Sequence, residues 1–164
     1  MSDRPLTYRY EAVPTDHEDI RRLVASTGVF SPVEIDVAVE LVDDRLQRGA
    51  QSDYRFLFAE CDGRLVGYTC YGPISLTQSS YDLYWIAVDK SLQGRKIGQT
   101  LLERTEQLVF TEGGRHVYAE TSNRPDYAPT RGFYLRCGYA QEALLKDFYA
   151  AGDDKVIFGK ALNG

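Results

Sequence analysis

No stretch of the 164-residue sequence approaches the run of ~18 apolar residues that a membrane-spanning helix requires. Cysteine is scarce: the three cysteines, Cys61, Cys70 and Cys137, are odd in number and lack the spacing of metal ligands. The two histidines, His17 and His116, belong to no group of residues that could bind a metal. The opening residues MSDRP precede no hydrophobic segment of the kind that a secretory signal contains. We therefore predict a cytoplasmic protein with reduced thiols, no membrane association and no bound metal.

An excess of basic residues is also absent. The formal net charge is −5 and the isoelectric point is about 5.1, which excludes sequence-independent nucleic-acid binding because such binding needs a basic footprint. A hydrophobic fraction of 43% excludes a disordered chain. No internal repeat or linker composition interrupts the sequence, and its length suits one core. We predict a single domain over residues 1–164.

Hydrophobic periodicity and turn residues predict secondary structure in the order β-α-α-β-β-β-α-β-α-β-β. The predicted strands cover residues 6–13, 55–59, 65–71, 83–88, 117–121, 139–145 and 156–162. The predicted helices begin near residues 16, 32, 98 and 130. This order indicates an α+β fold with one mixed sheet flanked by helices on both faces.

Local signals set several boundaries. Residues 31–34 (SPVE) combine an N-cap serine, a proline at the first helical position and a glutamate three residues after the cap. The helix that follows carries apolar residues at helical spacing: Val33, Val37, Leu41 and Leu46. Asp62-Gly63 is a hairpin turn, whereas Gly72-Pro73 is expected to interrupt its strand. Residues 146–154 are expected to form the connection between the last two strands.

The chain is organised around the segment from Tyr81 to Glu112, in which a buried strand leads through a turn into a helix. The turn, residues 93–98 (QGRKIG), is small and cationic. Free N–H groups and the positive end of the helix dipole favour a phosphate or pyrophosphate at such a place. The patterns of a P-loop and of a dinucleotide-binding loop are both absent. A plain connection without a ligand stays open as the alternative.

This turn resembles the acetyl-CoA signature of the GNAT superfamily of N-acetyltransferases, Q/R-x-x-G-x-G/A. Gln93 fits the first position and Gly98 the last, whereas Lys96 stands where the family usually has its first glycine. Upstream Ile86-Ala87-Val88 and downstream residues 133–139 (FYLRCGY), close to the family's F-Y-x-x-x-G-F, extend the match. The predicted element order is also that of the family, which implies a mostly antiparallel sheet.

The resemblance implies that acetyl-CoA binds as the acetyl-donor cosubstrate. Its pantetheine arm would lie along the central strand at Ile86, Ala87 and Val88 and pair with backbone groups of Ile86 and Val88. Its pyrophosphate would contact the turn and the first helical residues: Gln93, Gly94, Arg95, Lys96, Ile97, Gly98 and Gln99. Because a side chain at Lys96 replaces hydrogen where the backbone needs φ > 0, the tightness of this turn is in question.

Three residues are candidates for proton transfer. Tyr134 matches the family's proton donor to the coenzyme A thiolate, and its alternative role is to pack the short helix on the sheet. Asp82 matches the position of a catalytic glutamate in some family members, and Glu120 in the next strand is a second candidate base. Each carboxylate has a solvated or ion-paired surface role as its alternative. The choice between Asp82 and Glu120 stays open.

We therefore predict an acetyl-CoA-dependent N-acetyltransferase that modifies a primary amine of a small-molecule or amino-acid-like acceptor. Two alternatives stay open: a protein N-terminal or lysine acetyltransferase, and a non-catalytic acyl-CoA-binding or regulatory domain. A homodimer is left open as the oligomeric state. Four aromatic side chains are candidates for the lining of an acceptor pocket: Tyr71, Tyr84, Tyr127 and Tyr149.

Overall fold

The computed structural model of the protein describes residues 4–163. Its α-helices are α1 (Asp16–Ser26), α2 (Pro32–Arg48), α3 (Ile97–Thr111) and α4 (Ala128–Arg136). Its strands are β1 (Thr7–Arg9), β2 (Arg55–Cys61), β3 (Arg64–Pro73), β4 (Ser80–Val88), β5 (His116–Ser122), β6 (Ala140–Ala150) and β7 (Asp153–Ala161). Short 3-10 turns cover Gly49–Gln51, Lys90–Leu92 and Pro125–Tyr127. The order of helices and strands is the predicted one.

The strands form a seven-stranded sheet in the order β1-β2-β3-β4-β5-β7-β6. β2 pairs antiparallel with β1 and with β3, and β7 pairs antiparallel with β5 and with β6. β4 and β5 are parallel, because the connection between them passes through α3. The predicted class, an α+β fold with a mixed and mostly antiparallel sheet, is confirmed.

Contacts divide the chain into two compact units. The first holds the described part of Met1–Gly72 together with Trp85–Thr105, and the second holds Pro73–Tyr84 with the described part of Glu106–Gly164. The prediction of one domain over residues 1–164 stays a prediction. Among the described helices, none has the length and apolar character needed to cross a membrane.

In the first unit, β3 determines how closely α3 approaches. A Cβ atom at Gly67 would lie 2.9 Å from the side chain of Leu101, so only glycine leaves room for the helix here. Thr69 and Thr105 hydrogen-bond through their hydroxyl oxygens at 2.7 Å, and both side chains are fully buried. These two contacts fix α3 on β3, and they thereby fix the loop that leads into its N-terminus.

The second helix begins as predicted but buries a different face. The Ser31 hydroxyl accepts from the Glu34 N–H at 3.2 Å, and the Glu34 carboxylate accepts from the Ser31 N–H at 3.0 Å. Val33 and Val37 are 71% and 41% exposed. The residues of α2 that the structure buries are Ala38, Val39 and Val42. Apolar residues occur on several sides of this helix, so spacing alone could not select the buried stripe.

Two predicted strand boundaries are wrong. β3 continues through Gly72 to Pro73, because a proline at the last position of a strand removes no ladder hydrogen bond that the interior needs. The expected connection over residues 146–154 is mostly strand, since β6 runs to Ala150 and β7 starts at Asp153. Asp147 stabilises this hairpin end by accepting from the N–H of Gly152 at 2.8 Å.

Candidate functional site

The loop between β4 and α3 is anchored in the first unit by Asp89, the residue that follows β4. Its N–H donates to the Val66 carbonyl at 2.8 Å. Its carboxylate accepts from the N–H and the hydroxyl of Ser91 at 3.0 and 2.8 Å, which caps the 3-10 turn Lys90–Leu92. These bonds tie the start of the loop to β3.

Two guanidinium groups add to this anchor. Arg22 of α1 and Arg64 of β3 lie 3.5 and 3.9 Å from the Asp89 carboxylate, whose side chain is 12% exposed. Burial pushes the pKa of Asp89 upward, but the Ser91 hydrogen bonds and the two arginines outweigh burial and leave the pKa lowered. Asp89 is therefore a carboxylate held ionised by its surroundings.

Two positive φ angles shape the rest of the loop. Gly94 has φ = 87° and Lys96 has φ = 62°. The position of Lys96 is thus left-handed, as the resemblance implied for its glycine, and a lysine occupies it at a cost of about 1 kcal/mol relative to glycine. The Lys96 carbonyl starts α3 by accepting from the N–H and the hydroxyl of Thr100, both at 3.0 Å. The tight turn therefore forms despite the side chain.

The amides of this loop are available to a ligand. Within residues 4–163, no hydrogen bond is donated by the backbone N–H groups of residues 94–99. Gln93, Gly94, Arg95 and Lys96 are exposed, and the side chains of Arg95 and Lys96 join no ion pair of the described chain. Successive free amides at the N-terminus of a 15-residue helix, beside two cations, form a site suited to an anion such as a phosphate.

The end of β4 that precedes this loop carries three predicted binding residues. Ala87 is buried, whereas Ile86 and Val88 are half-buried. Trp85, next to Ile86, lies 5.0 Å from the ring of Phe30 between centroids. The side-chain amide of Gln93 donates to the Val88 carbonyl at 3.3 Å. The last residues of β4 and the loop that follows them are therefore adjacent, and both belong to the first unit.

Two carboxylates share one face of the second unit. Asp82 of β4 pairs with Tyr118 of β5, and Glu120 follows Tyr118 by two residues. Because alternate residues of a strand share a face, Asp82 and Glu120 project to the same side. Burial and then the charge of Glu120 raise the pKa of Asp82 to about 6, while the charge of Lys155 acts in the opposite direction. Asp82 is the third residue of β4, inside the strand and not before it.

Lys155 of β7 completes this cluster. Its ammonium nitrogen lies 2.8 Å from Glu120 Oε2 and 3.8 Å from the centroid of the Phe148 ring. Lys155 is 9% exposed, and the Tyr149 ring lies 6.0 Å from the same nitrogen. A buried ammonium is tolerated here because a carboxylate and an aromatic face receive it. With Asp82 ionised, the cluster carries one more negative than positive charge, which suits a cationic amine.

Tyr134 lies in α4 with its ring buried. The ring is 5% exposed and packs on Phe133, Tyr139 and Phe158 at centroid distances of 5.5, 5.6 and 5.5 Å. None of the hydrogen bonds found among residues 4–163 involves its hydroxyl. Burial, and then the neighbouring Cys137, raise the pKa of Tyr134. The phenol therefore stays protonated at neutral pH and is available as a donor.

Tyr134 and the carboxylates lie on opposite faces of the second unit's strands. Phe158, the partner of Tyr134, pairs across β7 and β5 with Ala119. Ala119 precedes Glu120, so alternation directs it to the other face. The β4–β5 ladder ends at the pair Leu83–Ala119, so in the described part of the chain no backbone ladder between β4 and β5 separates the two faces beyond this pair.

A polar network holds the turn that follows α4. Glu106 of α3 accepts from the hydroxyl of Tyr139 and from the ammonium of Lys160, each at 2.9 Å. Lys160 also donates to the Cys137 carbonyl at 2.9 Å. The N–H of Tyr139 donates to the Tyr134 carbonyl at 3.0 Å. This network fixes the backbone of Tyr134.

Of the tyrosines predicted to line an acceptor pocket, two lie on the carboxylate face. Tyr84 alternates with Asp82 along β4, and Tyr149 lies beside Lys155. Tyr71 and Tyr127 are 5% and 8% exposed and pack in the cores of their own units. Sequence reasoning missed Lys155 and Phe148. The sequence shows Lys155 only as a charged residue directly before the predicted apolar strand, and the pairing of β5 with β7 brings it to Glu120.

A sequence profile of the acetyltransferase (GNAT) family matches residues 23–139 of the chain. A solved GNAT-family protein of Desulfovibrio desulfuricans is 48% identical, has a TM-score of 0.94 and is matched over 96% of this chain and 99% of its own. An uncharacterized N-acetyltransferase of Methanocaldococcus jannaschii is 32% identical over 105 residues, 64% of this chain and 65% of that protein. The N-alpha-acetyltransferase RimI of Mycobacterium tuberculosis is 34% identical over 95 residues, 57% of each.

The chain thus spans less than two thirds of the length of these two curated relatives. More distant solved structures share the fold. Two of them, 16% and 19% identical with TM-scores of 0.76 and 0.74, are complexes with coenzyme A. At such identity the likeness concerns the fold alone.

Proposed function

The chain belongs to the acetyltransferase (GNAT) family, and we propose that it transfers the acetyl group of acetyl-CoA to a primary amine of a small-molecule or amino-acid-like acceptor. Membership of this family makes the protein an acyltransferase that uses an acyl-CoA donor and an amine acceptor. The acetyl donor, the acceptor class and the roles of individual residues are the proposal. The observation that carries it is the row of free amides at residues 94–99, at the N-terminus of α3.

The proposal places the pyrophosphate of the coenzyme on the amides of residues 94–99, with Arg95 and Lys96 as further cationic contacts. The pantetheine arm runs along Ile86, Ala87 and Val88 of β4. Hydrogen bonds to a charged group contribute about 1.5–3 kcal/mol each before other costs, so several of them account for micromolar affinity. Asp89 keeps the loop in this conformation without touching the coenzyme.

The second unit supplies the proton transfers. Asp82 takes a proton from the ammonium of the acceptor, and the nitrogen lone pair then attacks the thioester carbonyl carbon. The carbon–sulfur bond breaks as the amide forms, and Tyr134 donates its phenolic proton to the departing thiolate. The attacking nitrogen releases its second proton to solvent, and a proton from solvent restores the phenol of Tyr134. Of the two predicted carboxylates, we assign the base to Asp82 because Glu120 is engaged by Lys155 at 2.8 Å.

Acetylation of a protein N-terminus is the second candidate function. The RimI relative, an N-alpha-acetyltransferase, favours it. The small-molecule acceptor is favoured by the compact cluster of Asp82, Glu120 and Lys155, which offers one excess negative charge to one ammonium. Both kinds of acceptor would react by the same chemistry, so the two candidate functions are distinguished by which acetylated product forms. The match to the acetyltransferase family favours catalysis over a non-catalytic acyl-CoA-binding domain.

Location and assembly are separate proposals. We place the enzyme in the cytoplasm because Cys61 and Cys70 form no disulfide within residues 4–163, which suits a reducing compartment. A homodimer stays a prediction, and sedimentation equilibrium of the purified protein measures it directly.

Binding of acetyl-CoA tests the coenzyme site, and Trp85 is the reporter. The sequence contains one tryptophan, and it directly precedes Ile86 in β4. We expect acetyl-CoA to change its emission with a Kd in the micromolar range. Asp89→Ala should raise that Kd about tenfold, because the loop loses its cap and two ion pairs.

The matched control is Asp36→Ala. This exposed aspartate of α2 pairs with Arg21 at 2.9 Å, so the substitution removes the same charge from the first unit without affecting the loop. We expect it to bind acetyl-CoA as the wild type does. Equal affinities of all three proteins would contradict the role of Asp89, and absence of binding by the wild type would contradict the coenzyme site.

A further inference from the structure

Three charged side chains of the second unit meet on one face, contributed by three strands. Asp82 comes from β4, Glu120 from β5 and Lys155 from β7. Glu120 pairs with Ile157, two residues after Lys155, so Lys155 reaches Glu120 diagonally across the ladder. Other titratable side chains share this face: Tyr118, the cross-strand partner of Asp82; Tyr84, two residues along β4; His116, whose ring stacks on that of Tyr118; and Glu142, which lies with Tyr118 beside Gly159. Lys155 is therefore the cation of this cluster.

Lys155 is held in place from two sides. Glu120 Oε2 binds its ammonium at 2.8 Å, and the Phe148 ring covers the same nitrogen at 3.8 Å. Phe148 is itself 52% exposed, whereas the lysine beneath it is 9% exposed. The Phe148 ring covers the buried cation while half of its own apolar surface stays exposed to solvent, which is unfavourable. Folding of the β6–β7 hairpin does not by itself require the ring to lie there. The arrangement points to a function for the cation.

We propose that Lys155 is a positioning residue of the acetyl transfer, which neutralises Glu120 so that Asp82 alone remains an ionised, unpaired carboxylate for the acceptor's ammonium. This inference rests on the proposed function, because it takes Asp82 as the base. It assigns the two neighbouring carboxylates different tasks. Glu120 holds Lys155, and Asp82 exchanges the proton.

The charges around Asp82 support this division. Burial and the charge of Glu120 raise the pKa of Asp82, and Lys155 lowers it. Removing the lysine withdraws the lowering influence and also leaves Glu120 without its counter-ion. Both changes act in the same direction and raise the pKa of Asp82. The base would then be protonated at pH values where the wild type is active.

The test compares Lys155→Met with the wild type in two measurements. The first is the pH dependence of kcat/KM, whose acidic limb should move upward by about one pH unit in the variant. The second is an NMR titration of the Asp82 carboxyl carbon in the protein without substrates, which should move by the same amount. Lys155→Arg keeps the charge and should restore both midpoints to within a few tenths of a unit.

Two further variants sharpen the result. Lys146→Met removes an exposed lysine from the neighbouring strand β6 and should leave both midpoints unchanged. Glu120→Gln removes the negative charge and should move both midpoints downward, opposite to Lys155→Met. These variants separate the local effect of the cluster from a change in net charge or in folding.

The two measurements fail differently. An Asp82 titration that is the same in the wild type and in Lys155→Met overturns the inference about Lys155, whatever the activity. A titration that moves while the pH dependence of kcat/KM does not move overturns the role of Asp82 as the base, and with it the proposed mechanism. Movement of both in the stated directions supports the division between Glu120 and Asp82.

Discussion

Replacing Tyr134 by phenylalanine should lower kcat about 100-fold, because the substitution removes the one group proposed to protonate the departing thiolate. The ring of Tyr134 packs on Phe133, Tyr139 and Phe158, and phenylalanine keeps these contacts. The hydroxyl takes part in no hydrogen bond found within residues 4–163, so its loss should not destabilise the fold. Steady-state kinetics with acetyl-CoA, together with the Tm, measure both effects.

Tyr139→Phe is the matched control for this variant. Tyr139 lies 5.6 Å from Tyr134 between ring centroids, but its hydroxyl donates to Glu106 at 2.9 Å. Loss of that bond should lower the free energy of unfolding by about 1 kcal/mol and leave kcat within a few fold of wild type. A Tyr134→Phe enzyme that turns over at the wild-type rate would remove Tyr134 from the mechanism.

Asp82→Asn should lower kcat about 1,000-fold, since an amide cannot accept the proton of the ammonium at neutral pH. In the wild type the pKa of Asp82 is raised to about 6, so the carboxylate is ionised above that pH and protonated below it. The kcat/KM of the wild type should therefore fall about tenfold per unit below pH 6. The residual activity of Asp82→Asn should show no such limb.

Glu120→Gln provides the comparison. Because Glu120 is proposed to hold Lys155, its amide variant should keep kcat within about tenfold of wild type. Rate–pH profiles of the three proteins between pH 5 and 9 give both results. If Glu120→Gln were the more severely impaired variant and Asp82→Asn kept its acidic limb, the assignment of the two carboxylates would be reversed.

The sequence predicts the succession of elements well, because the local signals are strong. The capping box at residues 31–34 forms both of its hydrogen bonds. The Asp62-Gly63 turn has positive φ angles of 53° and 76°, as its residue types indicate. Gly113, with φ = 100°, follows the end of α3. Each of these features depends on neighbours in the chain, which a sequence displays directly.

Features that depend on distant residues were less predictable. The expected loop over residues 146–154 is strand because the Asp147 backbone N–H and the Asp154 side chain bond at 2.9 Å, and a bulge accommodates the polar residues. The buried stripe of α2 is set by the elements against which it packs, and its sequence offers several apolar faces. The polar composition of residues 146–154 indicates a loop, and the apolar periodicity of α2 is compatible with more than one buried face.

The candidate site shows the same distinction. The motif at residues 93–98 predicts this turn by itself, and Lys96 has the positive φ expected at the glycine position of the motif. Asp82 and Glu120 were found as single residues at strand positions. Their shared face follows from the parallel register of β4 with β5, and the pairing of Glu120 with Lys155 from that of β5 with β7. No local sequence pattern predicts which residues of neighbouring strands lie opposite each other.

Mass spectrometry of a pooled mixture of amines, amino acids and short peptides incubated with acetyl-CoA tests the proposed acetyl transfer directly. The wild type and Tyr134→Phe are compared at equal concentration. The proposed acetyl transfer predicts amine products heavier by about 42 Da, the mass that acetylation adds, formed by the wild type and about 100-fold more slowly by the variant. Acetylation confined to peptide N-termini would instead favour the second candidate function. Formation of no acetylated product from any amine, by an enzyme that binds acetyl-CoA, would contradict the proposed acetyl transfer.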